Sequence, residues 1–176
     1  FVSRDYHFNK VKTFHHMMDE RTQEEPRAWD LEGATHRAGF KIEELVEFVR
    51  AASPSEEDFG QALSQLHQAL DKAADKVAKK TPAQQDLIGQ VDALIDTLYF
   101  TYGSFVLMGV DPERIFDIVH QANMGKIFPD GKAHFDPVTH KILKPDDWEE
   151  KYAPEPAIKK ELQRQLKAYE RHKERN

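Results

Sequence analysis

The 176-residue sequence has the length of one domain that can bury its own core, and it contains no cysteine, which excludes disulfides, thiolate metal sites and cysteine nucleophiles. A formal net charge of −6 disfavours a general binder of nucleic acid polymers, because such proteins show a basic patch. No secretory signal follows Phe1 and no long uncharged apolar run indicates a membrane partner, so we expect a cytoplasmic enzyme or binding protein.

Apolar residues recur at helical spacing along most of the chain, which predicts an all-α fold. The predicted helices cover residues 5–20, 31–52, about 56–80, 87–110, about 113–122 and 155–176. Ser55 with Asp58 three residues later predicts the start of the third helix. Thr81-Pro82 predicts the start of the fourth helix, and Gly109 predicts its end.

The fourth predicted helix is apolar on nearly all sides, which is typical of a helix at the centre of a bundle. Asp92 and Asp96 interrupt it at positions i and i+4, so they share one face, one turn apart. A buried carboxylate needs a cation or a proton, so this acid pair (Asp92 and Asp96) indicates a metal ion. A water-filled cleft, or pairing with Arg or Lys from elsewhere in the chain, is the alternative.

The second predicted helix carries an acid triplet, Glu43, Glu44 and Glu47, crowded onto about one turn. A solvated charged face is one explanation. The apolar neighbours Leu45 and Val49 instead favour a position at the edge of the core. If the two acidic helices packed antiparallel, the acid triplet and the acid pair would face each other as a cage of oxygen ligands, which suits Mg²⁺ or Mn²⁺. A di-iron site is not expected, because no predicted core helix carries Glu-x-x-His.

Residues 127–145 differ in character from the helices, with Gly131, Asp136-Pro137 and several lysines. This composition predicts a short irregular or hairpin-like segment. Two interpretations stay open: a tail that only lies along the surface, or a basic flap that supplies cations to an anionic ligand.

These motifs resemble those of a known family. The acid triplet followed by the acid pair is similar to the acidic signature of the MazG-like all-alpha nucleoside triphosphate pyrophosphohydrolases. Residues 92–103, DALIDTLYFTYG, resemble the second metal helix of the phosphoribosyl-ATP pyrophosphohydrolase-like branch, although position 93 is Ala where the family commonly has the Glu of Glu-x-x-Asp. Three segments resemble the tail of that branch: Asn123-Met-Gly-Lys126, Pro129-Asp-Gly-Lys132 and Lys141-x-x-Lys144-Pro. The resemblance covers about residues 11–145.

The resemblance implies a helical bundle of the all-alpha NTP pyrophosphohydrolase type, in one domain over residues 1–176 with 155–176 as a C-terminal helical extension. It implies a homodimer or homotetramer. The narrow apolar stripe of the last helix and the surplus of apolar residues around Tyr99, such as Phe100 and Phe105, favour the same conclusion. The implied activity is Mg²⁺-dependent hydrolysis of a nucleoside triphosphate to the monophosphate and pyrophosphate, in housekeeping of the nucleotide pool.

The resemblance also assigns roles to individual residues. The implied ligands of Mg²⁺, with Mn²⁺ as the alternative ion, are Glu44, Glu47, Asp92 and Asp96. The implied catalytic acids that orient or deprotonate water are Glu43 and Glu47. The implied contacts to substrate phosphates are Asn123, Lys126 and Lys132. Other activities remain open at this point: a dUTPase or dUDPase, a phosphoribosyl-ATP pyrophosphohydrolase, or a non-catalytic nucleotide sensor on the same fold.

Overall fold

The computed structural model describes residues 3–19, 22–81 and 85–175, and within them the chain is all-α, as predicted. Their helices, in chain order, are α1 (Tyr6–Met18), α2 (Leu31–Ala52), α3 (Glu56–Ala78), α4 (Leu87–Met108), α5 (Glu113–Met124), α6 (Trp148–Tyr152) and α7 (Glu155–Arg175). The predicted helix ends agree with these bounds to within about two residues, and α6 is an additional helix.

Side-chain caps fix the starts of α2 and α3. Asp30 accepts a hydrogen bond from the backbone N–H of Gly33 at 2.8 Å. Ser55 caps α3 as predicted, because its Oγ accepts from the N–H of Asp58 at 3.1 Å. The Asp58 carboxylate accepts a hydrogen bond from the Ser55 hydroxyl at 2.6 Å. In a full capping box it would instead accept from the backbone N–H of Ser55.

Helix α4 begins at Leu87, directly after Asp86, whose carboxylate accepts a hydrogen bond from the first turn at 3.0 Å. The predicted start at Thr81-Pro82 falls partly on residues 82–84, which lie outside the described residues. The predicted end is confirmed, since α4 stops one residue before Gly109. That glycine has a φ of +69°, a left-handed conformation that is strained for other residues.

The chain forms two compact units, and α4 contributes to both. The first unit contains Phe1–Glu24 and Thr97–Asn176, and in it α5 packs against both α1 and α7. Its core holds the most buried side chains of the described residues, which are Met18, Ala122, Trp148 and Glu161. The prediction of a single domain over the whole chain stays a prediction.

Polar and aromatic contacts join α1 to α5 in this unit. The ring of His7 stacks on that of Phe116 with centroids 4.0 Å apart, and Lys10 Nζ lies 3.2 Å from the carboxylate of Asp117. The contacts of Lys10 with Tyr6 and then with Asp117 raise the pKa of its ammonium group. These contacts fix α1 on α5 and thereby hold the first turns of α5 in place.

The second unit, Glu25–Asp96, contains α2 packed against α3, together with the first part of α4. The side chain of Gln90 bonds the backbone of Trp29 twice: its Oε1 accepts from the Trp29 N–H at 2.8 Å and its Nε2 donates to the Trp29 carbonyl at 3.0 Å. This pair of bonds holds the start of α4 beside the segment that leads into α2.

The prediction that α4 is buried is wrong for the single chain. All of residues 91–100 are exposed, and Tyr99, Phe100 and Leu107 expose 77%, 76% and 90% of their surfaces. The reason is that an apolar pattern requires a helix to be covered but does not specify which chain covers it. Within the described part of the chain, no helix has the length and hydrophobicity to cross a membrane.

Residues 127–145 form the predicted hairpin-like segment. One antiparallel bridge, between Phe135 and Ile142, holds it together, and a backbone hydrogen bond of 2.8 Å from Asp136 to Lys141 lies beside the bridge. The segment leads into α6 and then α7.

Candidate functional site

The acid triplet lies on one exposed face of α2. Glu43, Glu44 and Glu47 are all solvent-exposed, and their spacing of three and four residues makes them neighbours on the helix surface. Glu43 has an interaction with another group in the structure. The structure therefore agrees with the solvated face that the sequence left open, while keeping the three carboxylates accessible to a ligand.

The acid pair lies on the part of α4 that belongs to the same unit. Asp92 and Asp96 are exposed, and neither carboxylate forms an ion pair or hydrogen bond with another described residue. The alternative that they pair with Arg or Lys therefore has no support among the residues that the structure describes. Both carboxylates are free to bind a cation.

The structure does not bring the acid triplet and the acid pair together within one chain. Among residues 3–19, 22–81 and 85–175, no group of three or more His, Asp or Glu side chains could hold a metal ion. The donor set still suits Mg²⁺, because carboxylate oxygens are the ligands that this ion prefers. The chemistry of the residues fits the ion, and a complete cage requires a further element beside them.

The predicted phosphate contacts Asn123 and Lys126 do lie together, at the end of α5. Lys126 Nζ donates to Asn123 Oδ1 at 2.9 Å, and both side chains are half-buried. They are three residues apart, which places them on the same side of the last helical turn. The bond with Asn123 thus holds the ammonium group in place at the end of α5.

Each of the last four carbonyls of α5 has a hydrogen-bond partner, as a largely buried helix end requires. Backbone N–H groups bond three of them: Gly125 bonds Gln121, Lys126 bonds Asn123 and Ile127 bonds Met124. The fourth, the carbonyl of Ala122, accepts from the indole Nε1–H of Trp148 at 2.8 Å.

A second contact from α6 reaches the same turn. A Cβ atom on Gly125 would lie 2.4 Å from the ring of Tyr152, so only glycine fits there. Together, Trp148 and Tyr152 form a clamp (the α6 clamp) on the turn between Asn123 and Lys126. The clamp was not predicted, because its only signal in the sequence is a lone tryptophan in a charged stretch.

Lys132, the third predicted phosphate contact, is exposed on a tight turn. The Asp130 carboxylate supports the turn at both of its oxygens, accepting from the Lys132 N–H at 3.0 Å and lying 2.7 Å from His134 Nε2. The ring of His134 stacks on Phe128 at 3.9 Å. The bond with His134, followed by that with Lys132, lowers the pKa of Asp130.

A buried acid elsewhere in this unit has a structural role. Glu161 on α7 binds Arg164 with both oxygens, at 2.8 and 2.7 Å, and accepts from Gln165 at 3.0 Å. These bonds, led by Arg164, lower the pKa of Glu161 to about 2. Gln165 in turn bonds the backbone of Asp111 in both directions, which ties α7 to the segment before α5.

Comparison with known proteins gives two matches. The family model for phosphoribosyl-ATP pyrophosphohydrolase matches residues 11–123. The crystal structure of a protein from Exiguobacterium sp. 255-15, provisionally named an NTP pyrophosphohydrolase, is 38% identical to the chain. The match covers 95% of this chain and 99% of that chain with a TM-score of 0.86. No curated protein matches the sequence.

The matched stretch of the family model contains the acid triplet and the acid pair and ends at Asn123. It spans more than half of the chain. The similar crystal structure extends the likeness to 95% of the chain and supports the all-α fold. The chain therefore belongs to the phosphoribosyl-ATP pyrophosphohydrolase family, within the all-alpha MazG-like pyrophosphohydrolases.

Proposed function

We propose that the chain hydrolyses a nucleoside triphosphate to the monophosphate and pyrophosphate in a Mg²⁺-dependent reaction that removes nucleotides from the cellular pool. The observation that carries the proposal is that residues 11–123, which match the family model, contain all five acids of the acid triplet and the acid pair. The NTP pyrophosphohydrolase name of the similar crystal structure supports a nucleoside triphosphate as the substrate.

In the proposed reaction, water attacks the α-phosphorus, the bond to the oxygen that bridges the α- and β-phosphorus breaks, and pyrophosphate leaves. Glu44, Glu47, Asp92 and Asp96 would hold Mg²⁺, with Mn²⁺ as the alternative. When bound, the ion supplies charge neutralisation for the triphosphate oxygens. Glu43 and Glu47 would orient the water and accept its proton. The exposure of these acids, and the lack of any ion pair between the acid pair and the part of the chain that the structure describes, support this assignment.

Lys126, Lys132 and Asn123 would contact the phosphates and offset the charge that develops on them. The bond between Lys126 and Asn123 supports a fixed position for the first cation, and the Asp130-supported turn supports one for Lys132. Lysine acts at such sites as a compact point charge.

A second copy of the chain is part of the proposal. Helix α4 is apolar and exposed over most of its surface in the single chain, with side chains such as Ile88 and Leu107 exposed to 83% and 90%. A surface of this kind is covered in an obligate homodimer or homotetramer. Covering α4 with helices of a second copy would also supply the further element that the acid pair needs to complete a metal cage.

A substrate panel tests the proposed reaction. Purified protein is incubated with Mg²⁺ and each common ribonucleoside and deoxyribonucleoside triphosphate, and the products are separated and identified. We expect a nucleoside monophosphate and pyrophosphate from at least one of them, and no release in the presence of EDTA. Binding of a nucleotide without product would instead support the nucleotide sensor.

Phosphoribosyl-ATP is the second candidate substrate, and the description of the matching family model favours it. Both substrates contain an ATP-like triphosphate, so the same acids and cations would serve. The panel separates the two candidates if phosphoribosyl-ATP is included: the proposed function requires faster pyrophosphate release from an unmodified nucleoside triphosphate.

A further inference from the structure

The turn that carries Asn123 and Lys126 is held from outside α5. Of its four terminal carbonyls, only that of Ala122 depends on a side chain, the indole of Trp148. Ala122 exposes 4% of its surface and Trp148 exposes 6%. A hydrogen bond between two groups this buried is strongly directional and has no water to replace it.

Contact with Tyr152 fixes the same turn from a second direction. Gly125 has a φ of −66°, an ordinary helical value, so its backbone does not require glycine. The ring of Tyr152 does, because it lies 2.4 to 2.7 Å from where a Cβ atom would stand. Gly125 lies between Asn123 and Lys126 in sequence, so any shift of its backbone moves both side chains.

The structure also holds the clamp itself in place. Lys144 Nζ lies 4.1 Å above the indole ring of Trp148, a cation–π contact. The backbone N–H of Trp148 donates to the carbonyl of Pro145 at 3.0 Å. The indole therefore approaches Ala122 from a defined direction.

We infer that the α6 clamp, Trp148 with Tyr152, is a positioning device that sets the site of the Lys126 ammonium group for the reacting phosphates. This inference rests on the proposed function, because it assigns Lys126 a charge to stabilise. Trp148 touches no substrate in this account and acts through the backbone of the last α5 turn. Small displacements of a charge-stabilising group have large effects on rate, of the order of a hundredfold for about 1 Å.

Two substitutions release the clamp in different ways. Trp148→Phe keeps an aromatic ring but removes the indole N–H, which leaves the Ala122 carbonyl without its donor. Gly125→Ala removes no hydrogen-bonding group but places a Cβ atom against the Tyr152 ring, which forces the turn and the ring apart. The matched control is Gly60→Ala on α3, where a Cβ meets nothing within 4 Å. Activity is measured on the nucleoside triphosphate that the panel identifies as the best substrate, at a temperature well below each melting temperature.

We expect both variants to lower kcat/KM roughly 10- to 100-fold, with most of the loss in kcat, because a displaced ammonium group fails chiefly in the transition state. Gly60→Ala should match the wild type. The decisive measurement is a double-mutant cycle with Lys126→Ala. In that background Trp148→Phe should cost less than about twofold, since the group that it positions is gone.

Two results would overturn the inference alone: wild-type kcat/KM in both clamp variants while Lys126→Ala is impaired, or an equal loss from Trp148→Phe in both backgrounds. The second result would make Trp148 a purely structural residue. Wild-type kcat/KM in Lys126→Ala is a different failure, because it removes Lys126 from the proposed site and the positioning role falls with it.

Discussion

The Lys126 ammonium group is held by Asn123 at the end of α5, and its removal is the most direct test of a single phosphate contact. Lys126→Ala should lower kcat/KM because it removes about 3 kcal/mol of transition-state stabilisation, the scale seen when one preorganised charge-stabilising donor is lost. The loss of one half-buried hydrogen bond should lower the free energy of unfolding by about 1 kcal/mol. Steady-state kinetics and thermal melts measure the two effects, and Lys167→Ala on α7 is the control for loss of a surface lysine.

The acids should behave differently from the lysine, because their removal affects activity without harming the fold. Glu47→Gln and Asp96→Asn keep the side-chain shape but remove a charge from a proposed ligand. Activity should fall strongly, while the melting temperature should stay level or rise, since like-charge repulsion of about 0.2–0.5 kcal/mol per pair is relieved. Asp75→Asn on α3 controls for charge removal. A wild-type rate in either variant at limiting Mg²⁺ would show that the metal assignment is wrong.

The bonds of Glu161 predict how the stability of the protein depends on pH. Its folded pKa of about 2 lies below the ordinary value of 4.5, so its interactions stabilise the fold above pH 4.5 and lose that effect as the pH falls toward 2. Glu161→Gln should therefore lower the free energy of unfolding at neutral pH. The free energy of unfolding of the variant should also decrease less than that of the wild type between pH 4.5 and pH 2. Urea unfolding at a series of pH values compares the variant with the wild type. Identical pH slopes in the two proteins would contradict the assignment.

At the scale of residues, the sequence could identify groups whose spacing lies within one helical turn. Asn123 and Lys126, which the resemblance singled out together, are three residues apart, and in the structure their side chains bond each other. Trp148 could not be found in this way, because its partner Ala122 is 26 residues earlier in the chain and the bond is long-range. Gly125 illustrates the same limit: a glycine after a helix usually indicates a left-handed turn, yet here it allows Tyr152 to approach.

Helix α4 is the element whose pattern and environment disagree most. Its surface would cost a single chain a large hydrophobic penalty, so we expect it to lie in the interface between copies. Phe100→Asp should place a charge in that interface and dissociate the assembly. Val138→Asp is the matched control, because Val138 is 83% exposed on the hairpin-like segment and lies on no apolar helix face.

Light scattering at micromolar concentration measures this outcome. The wild type and Val138→Asp should have the mass of a dimer or tetramer, and Phe100→Asp should shift toward the monomer. A monomeric wild type would refute the assembly, and with it the explanation for the exposure of α4.

The helices were predictable to different degrees, for physical reasons. The start of α3 was predicted from Ser55 with Asp58 and the end of α4 from Gly109, both local signals that the structure confirms. Helix α6 was missed because five residues are too few to display a period. The prediction of a buried α4 was right about hydrophobicity and wrong about the single chain, because burial by a partner leaves the same pattern.

At the scale of the whole molecule, the acidic and the basic residues of the proposed site belong to different units. The acid triplet and the acid pair belong to Glu25–Asp96, and Asn123, Lys126 and Lys132 belong to the other unit. The order of these motifs along the chain was enough to indicate the family, because that order does not depend on how copies of the chain assemble. The arrangement of the proposed metal cage could not be predicted, since in the proposal it would depend on how helices of two copies meet.

The central claim is attack by water at the α-phosphorus, and hydrolysis in ¹⁸O-labelled water tests it most directly. The wild type hydrolyses its best nucleoside triphosphate substrate in the presence of Mg²⁺. The products are separated, and their masses are measured by mass spectrometry. The account predicts one ¹⁸O atom in the nucleoside monophosphate and none in the pyrophosphate. Label in pyrophosphate, or release of inorganic phosphate and a nucleoside diphosphate in place of pyrophosphate, would contradict it.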